Sequence, residues 1–375
     1  MISGPSWASG VELVVEGANF YPRILEDMER AESSIHVVQF GFKPGKVGDR
    51  LADVLARKAR AGVAVRICVD ANGSATGGAS RAMFQRLVAA GADVVVNHAV
   101  QLFARQGPIG AQGPLRLNLR GIGHIDHRKL VVVDGRTGWV GAGFEDHFWN
   151  GEFHDLFLRL GGTVVSQLQL VAVASFRGHG VRVGDVAALF PDQGSAPADA
   201  VPAVVLHNAP GPVRPVSDAI AELIDGARDT LDIANPYVTD RSMVRRLGTA
   251  GRRGVRVRLV VPARPNNWAC GAAQRHHHRH LLAAGVEIVE YPRMVHAKAF
   301  VRDGRDVVVG TCNLDAWSLR RSFEIAVRLQ SPALAEEFAR EFFTPAIAIS
   351  RPGRVATTLA SRARNALFAC LSPLL

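Results

Sequence analysis

Cysteine is scarce in this chain. The four that occur, Cys68, Cys270, Cys312 and Cys370, are widely scattered and sit among apolar or small residues. They form no zinc spacing and no disulfide framework, which points to a reducing cytosol. Long apolar runs are missing as well. Nowhere do roughly 18 consecutive apolar residues occur, the length that a membrane-spanning helix needs. Residues 1–10 have neither a basic start nor an apolar core, so no secretory signal is expected there. Acidic residues are outnumbered: 34 Asp and Glu stand against 44 Lys and Arg, a net charge of +10. That balance favours polyanionic partners, either an anionic bilayer surface or nucleic acid, and charge alone does not choose between them. The length suffices for two domains of ordinary size.

What is present is a repeat. His127-Arg128-Lys129-Leu130-Val131-Val132-Val133-Asp134-Gly135 returns as His296-Ala297-Lys298-Ala299-Phe300-Val301-Arg302-Asp303-Gly304, which is His-x-Lys-x-x-x-x-Asp-Gly written twice, 169 residues apart. Two copies at matching places indicate an internal duplication. A duplicated His/Lys pair suits phosphate-ester chemistry. One imidazole attacks, another protonates, and ammonium groups hold the phosphate oxygens.

Hydrophobic residues follow each Lys, and each run ends in Asp-Gly, a hairpin-turn signal, so each motif reads as a strand. Side chains at i and i+2 share a face, which pairs His127 with Lys129 and His296 with Lys298. Asp134 and Asp303 fall on the opposite face and read as turn-stabilising or supporting residues rather than reacting carboxylates. The same offset takes Gly141 to Gly310, Asp146 to Asp315, Asp155 to Glu324 and Arg159 to Arg328. A nucleophilic imidazole needs its Nδ1–H held by an acceptor, best a carboxylate. Asp155 and Glu324, each 28 residues after the histidine of its own half, are the candidates for that role.

The second half reads Val295-His-Ala-Lys298 to Asp303, then Gly310-Thr-Cys-Asn313-Leu-Asp315, Ser318-Leu319 and Phe323-Glu324. The first half agrees in Gly62-Val-Ala-Val-Arg66, Val69-Asp70-Ala-Asn-Gly73-Ser74, His127-Arg-Lys129 and His154-Asp155. On these residues, from about Glu16 to Leu375, the chain resembles the phospholipase D superfamily, and within it the bacterial cardiolipin synthases of the short type without N-terminal membrane helices. One departure stands out. The family places an Asn 17 residues after each motif His, where its amide helps bind the phosphoryl group. Asn313 meets this, whereas the matching residue of the first half is Phe144. Either a backbone amide of the Gly-rich stretch takes over, or the phosphate pocket is asymmetric.

The resemblance implies two duplicated α/β/α sandwich domains with pseudo-twofold symmetry and one shared active site. The expected boundaries are residues 1–190, a linker at 191–215 and residues 216–375. It implies phosphatidyl transfer through a phosphohistidine, with His127 attacking the lipid phosphorus and His296 as acid and then base. The catalytic set it implies is His127, Lys129, Asp134, His296, Lys298, Asp303, Asp155 and Glu324. Lys129, Lys298 and Asn313 would bind the phosphate oxygens, with no cofactor and no metal. The partners would be anionic phospholipids, phosphatidylglycerol and cardiolipin, at the inner face of the cell membrane of a cytoplasmic protein. The rivals are a phospholipase D that hydrolyses head groups, a nuclease or phosphodiesterase of the same superfamily, and a non-catalytic membrane-binding relic motivated by Phe144.

Each half also runs through a similar order of elements. Residues 22–31, with Pro22 suited to a first turn, and 47–61 have helical spacing, and 34–40 and 63–69 read as strands. In the second half, helices at 220–227 and 241–250 alternate with strands at 231–234 and 255–261. Matching helices then close at Gly91 and Gly285. Such alternation predicts α/β layers in both halves. The Gly-rich insert 101–126, with Arg105, Arg116 and Arg120, reads as a loop shaping substrate access or as a surface excursion. Residues 191–215 read as linker, with a strand at 201–207 that could open the second domain. Arg275-His276-His277-His278-Arg279-His280 contains an i,i+4 histidine pair with metal-ligand spacing, set against a polar helix face near the pocket. Trp268 and Trp317 could line a lipid channel or pack in the core. The tail 355–371 sets Val355, Leu359, Leu367 and Leu371 on one side with Arg362 and Arg364 between. It reads either as an interfacial helix or as a last helix packed on the second domain.

Overall fold

The computed structural model describes residues 6–75, 77–98, 103–105, 109, 115–117 and 123–374. Most of the Gly-rich insert, Arg120 included, lies outside the described residues. Contacts divide the chain into two compact units. One is Met1–Gly151 with Leu156–Val205, the other Glu152–Asp155 with Leu206–Leu375.

The first unit begins with β1 (Ser6–Val15), α1 (Gly17–Arg30), β2 (Ser34–Gln39), α2 (Lys46–Arg60) and β3 (Ala64–Asp70). It continues through α3 (Ala71–Ser74), α4 (Gly78–Ala89), β4 (Asp93–Asn97) and the short β5 (Phe103–Arg105) and β6 (Leu115–Leu117). The motif strand β7 (Lys129–Val133) turns into β8 (Thr137–Gly141), and α5 (Asp146–Trp149) follows. The next strand, β9 (Phe153–His154), belongs to the second unit; β10 (Leu156–Gly161), α6 (Thr163–Gly178) and the start of β11 (Val201–Asn208) complete the first. Strand order is β4-β3-β2-β7-β8-β10-β1, with β2, β3 and β4 parallel and the rest antiparallel. Every residue of β2 and β7 is buried, as happens when layers cover both faces of a sheet. Helix α6 packs on β1, β2 and β7, while α2 packs on β3 and against α1 and α4.

The second unit repeats the plan. Its elements are α7 (Pro215–Asp225), β12 (Thr230–Ala234), α8 (Arg241–Arg252), β13 (Arg256–Pro262), α9 (Trp268–Ala283) and β14 (Glu287–Tyr291). Then come β15 (Met294–Val295), the motif strand β16 (Lys298–Arg302), β17 (Asp306–Gly310), α10 (Ala316–Arg320) and β18 (Glu324–Gln330). The chain closes with α11 (Pro332–Phe338), α12 (Thr344–Ala348), β19 (Arg351–Pro352) and α13 (Leu359–Leu371). The order β14-β13-β12-β16-β17-β18, with β12, β13 and β14 parallel, matches β4-β3-β2-β7-β8-β10 strand for strand. The duplication written in the motifs is thus a duplication of topology.

Several expectations need correction. Pro22 lies in the middle of α1, five residues past its start, not in the first turn. β1 was not legible at all. The strand read at 201–207 exists, yet its first residues pair with β1 of the first unit, Ala203 opposite Ser6. The histidine run is polar on one side only, where His276, Arg279 and His280 are exposed. His277 and His278 are buried in α9, and burial depresses the imidazole pKa of both, that of His277 to about 4. Trp268 is 66% exposed rather than packed in the core.

Candidate active site

Each motif histidine stands just before its strand and each motif lysine begins it. Lys129 pairs with Gln39 of β2, and Lys298 pairs with Gly310 of β17, so both ammonium groups start from the sheet interior. Both lysines are almost fully buried. A buried ammonium must be compensated. Lys129 Nζ donates to the His127 carbonyl at 2.7 Å and lies 5.0 Å from the Phe40 ring centre. That ring meets His127 edge-on at 4.8 Å. Lys298 Nζ donates to the His296 carbonyl at 2.6 Å and lies 2.9 Å from His296 Nε2. Lys298 thus stands beside the His296 imidazole, and Lys129 and His127 both meet the Phe40 ring.

The carboxylate partner is crossed. Asp155 Oδ2 lies 2.7 Å from Nδ1 of His296, not of the histidine in its own half of the sequence. The reason is topological. The segment 152–155 leaves the first unit and runs beside β15 as β9, with Val295 opposite His154. His296 N–H donates to the His154 carbonyl at 2.8 Å, which fixes the loop that carries the imidazole. The His154 ring is itself clamped between Tyr291 and Phe342, at 4.7 and 4.6 Å. With Nδ1 held by a carboxylate, Nε2 is the nitrogen that takes or returns a proton.

Glu324 opens β18, wholly buried, and accepts a hydrogen bond from the Thr311 hydroxyl. Asp315 caps α10 by accepting from Ser318 N at 2.8 Å. Burial pushes the Asp315 carboxyl up to about 6; the Ser318 N–H opposes this, and the Glu324 charge adds to it. Asn313 is buried nearby, its side chain hydrogen-bonded to Asp315 and its Oδ1 without a donor among the described residues.

Asp134 and Asp303 hold the turns that follow the two motif strands. Both sit at positive φ, 52° and 49°, each followed by a positive-φ glycine, as a tight hairpin turn requires. The Asp134 carboxylate accepts from the N–H groups of Glu32, Ser33 and Ser34, each at 2.8 Å. Asp303 accepts likewise from Asp229 and Thr230 at 2.8 and 3.0 Å. Burial opposes ionisation, but these N–H donors hold both carboxyls below the usual range.

Phe144 is buried, bridges Phe42 and packs against its ring at 5.4 Å. The equivalent bridge of the second unit joins Val238 to Leu314. By contact, Phe144 therefore corresponds to Leu314, and Gly143 stands in place of Asn313. A Cβ on Gly143 would meet the Phe148 ring at 2.8 Å, so no side-chain amide fits there. The sequence offset alone concealed this one-residue difference.

Also unanticipated is the support under the first motif. Arg128 forms a buried two-pronged ion pair with Asp126, and Asp126 N–H donates to Asp70 Oδ2 at 2.9 Å. Burial raises the Asp70 carboxyl to about 6 despite three hydrogen bonds, from Asp126, Asn97 and Asn72. Asp-x-Arg around the motif His was the available signal. No group of three or more His, Cys, Asp or Glu that could hold a metal ion occurs among the described residues.

Paired His-x-Lys strand starts, set at matching places in two α/β units of the same topology, define a duplicated α/β fold. A family model described as cardiolipin synthase, PLD-like domain matches residues 24–143 and 220–344. The chain belongs to this family of phospholipase D-like proteins. Among its relatives, the probable cardiolipin synthase YwiE of Bacillus subtilis (strain 168) is 30% identical over 85% of this chain. The major cardiolipin synthase ClsA of the same organism is 29% identical over 89% of it. The match spans 62% of YwiE and 68% of ClsA, so part of each relative has no counterpart here. In fold, the chain is similar to a crystal structure of phosphatidylserine synthase from Haemophilus influenzae Rd KW20. The TM-score is 0.71 at 13% identity, covering 99% of this chain and 97% of that one.

Proposed function

We propose that this chain is a phosphatidyltransferase of the cardiolipin synthase type. The observation that carries the reading is the His296 constellation, with Asp155 at Nδ1 and Lys298 Nζ beside Nε2. It is an acid–base imidazole with a cation placed for an anionic oxygen next to the proton it handles. In the first step His127 attacks the lipid phosphorus and the bond to the head-group alcohol breaks. That oxygen takes its proton from His296. In the second step the acceptor hydroxyl gives its proton to His296 and attacks phosphorus, releasing His127. Asp155 stays ionised and fixes the His296 tautomer, while Lys129, Lys298 and Asn313 face the phosphate oxygens. The assignment of His127 as the attacking group rests on the family resemblance.

With phosphatidylglycerol as both donor and acceptor, the product is cardiolipin; with water, it is phosphatidic acid. No helix among the described residues is long and apolar enough to cross a membrane. The net charge of +10 supports attachment to an anionic leaflet. The test is incubation of the protein with phosphatidylglycerol vesicles, with and without an added alcohol. Transfer predicts cardiolipin, and a phosphatidyl-alcohol when alcohol is added. Phosphatidic acid alone under both conditions would replace transfer by hydrolysis.

A further inference from the structure

Helix α13 turns its apolar side outward. Leu359, Leu367 and Leu371 are 81%, 57% and 40% exposed, while the polar Asn365 is 1% exposed. At about 100° per residue the three leucines share one arc of the helix. The helix is docked on α9, where Trp268, itself 66% exposed, meets Phe368 edge-on at 4.8 Å. Between α9 and α13 runs an open groove of about 390 Å³, lined by Arg275, His276, Arg279, Leu359, Arg362 and Asn365. The Asn365 Nδ2 is buried there with no acceptor among the described residues. Positive charge accumulates around it, because Arg351 and Arg354 share the single carboxylate of Glu290.

We propose that this groove binds the head-group phosphate of an anionic phospholipid while the leucines of α13 and Trp268 enter the acyl boundary. This rests on the reading of the chain as a lipid enzyme, but involves none of its motif residues. An anion in the groove neutralises Arg279 and Arg362. The apolar stripe beside these cations favours a lipid over a free anion, since a bilayer surface offers both chemistries at once. A second copy of the chain fits poorly, because a twofold contact would set this arginine cluster against itself.

The test uses the full chain with vesicles of phosphatidylcholine, with and without phosphatidylglycerol, and two variants, Arg279→Gln/Arg362→Gln and Leu359→Ser/Leu367→Ser. Wild type should float with the anionic vesicles and bind at least about tenfold more weakly without phosphatidylglycerol. Each folded variant should lose about tenfold in vesicle binding, with transfer on detergent-dispersed phosphatidylglycerol within about twofold of wild type. Either variant binding vesicles like wild type would overturn the proposal. So would thermal stabilisation by inorganic phosphate without vesicle binding, or a wild-type dimer that the leucine variant dissociates. Vesicle binding lost in the variants, from a wild type that transfers nothing, would keep this surface and sink the enzymatic reading instead.

Discussion

The Asp155–His296 contact is the single interaction on which the chemistry leans most. Asp155→Asn keeps the shape but offers Nδ1 a weaker, neutral partner. Turnover should fall by ~10²-fold or more, as when a histidine loses the carboxylate that sets its tautomer, while the melting temperature changes little. Activity per folded molecule near wild type would remove Asp155 from the mechanism. Asp134 should behave in the opposite way. Asp134→Ala strands three backbone N–H donors and the Ser33 hydroxyl. Unfolding in denaturant should show a loss of about 1–3 kcal/mol, with kcat of the folded fraction retained. A large kcat loss in a stably folded Asp134→Ala would give that carboxylate a catalytic role.

At the scale of elements, the two hairpins depend on glycine where strands end. A Cβ on Gly310 would meet the Ile325 carbonyl oxygen at 2.3 Å, and one on Gly141 the Leu156 carbonyl oxygen at 2.2 Å. Gly310→Ala and Gly141→Ala should each cost about 1–3 kcal/mol, the usual penalty of overpacking, read as a lower melting temperature. An unchanged value in either would show that the strand ends can spread. The matched glycines were visible in the sequence because the offset that aligns the motifs aligns them too. The motif strands were legible for the same kind of reason, since strand periodicity and the Asp-Gly turn are local. The crossed pairing of Asp155 was not legible, because it depends on β9 lying beside β15, 141 residues away in sequence. The burial of His277 and His278 in α9 was not legible for a related reason. His278 Nδ1 lies 2.9 Å from the carbonyl oxygen of Arg354, a partner 76 residues away. Helix α13 showed its leucines in the sequence, but not that they would face outward with Asn365 inside.

The whole molecule carries buried titrating groups of opposite effect. Burial holds His36 and His277 at about 4, so the unfolded chain binds their protons first, and stability is lost as pH falls from 6.5 toward 4. Asp70 and Asp315 are raised to about 6, so the folded chain binds those protons first, and stability is gained as pH falls from 6 toward 3.8. The two effects oppose each other. Asp70→Asn removes one of the gains, so its melting temperature should fall more steeply than that of wild type between pH 6.5 and 4.5. Parallel slopes would show that Asp70 titrates normally. The central claim concerns substrate class, since a net charge of +10 attracts lipid and nucleic acid alike. Its most direct test is product analysis with phosphatidylglycerol vesicles and a single-stranded oligonucleotide, offered separately to wild type and His296→Ala. The account predicts cardiolipin from wild type, at least ~10²-fold less from His296→Ala, and an intact oligonucleotide in both. Histidine-dependent cleavage of the oligonucleotide with the lipid untouched would contradict it.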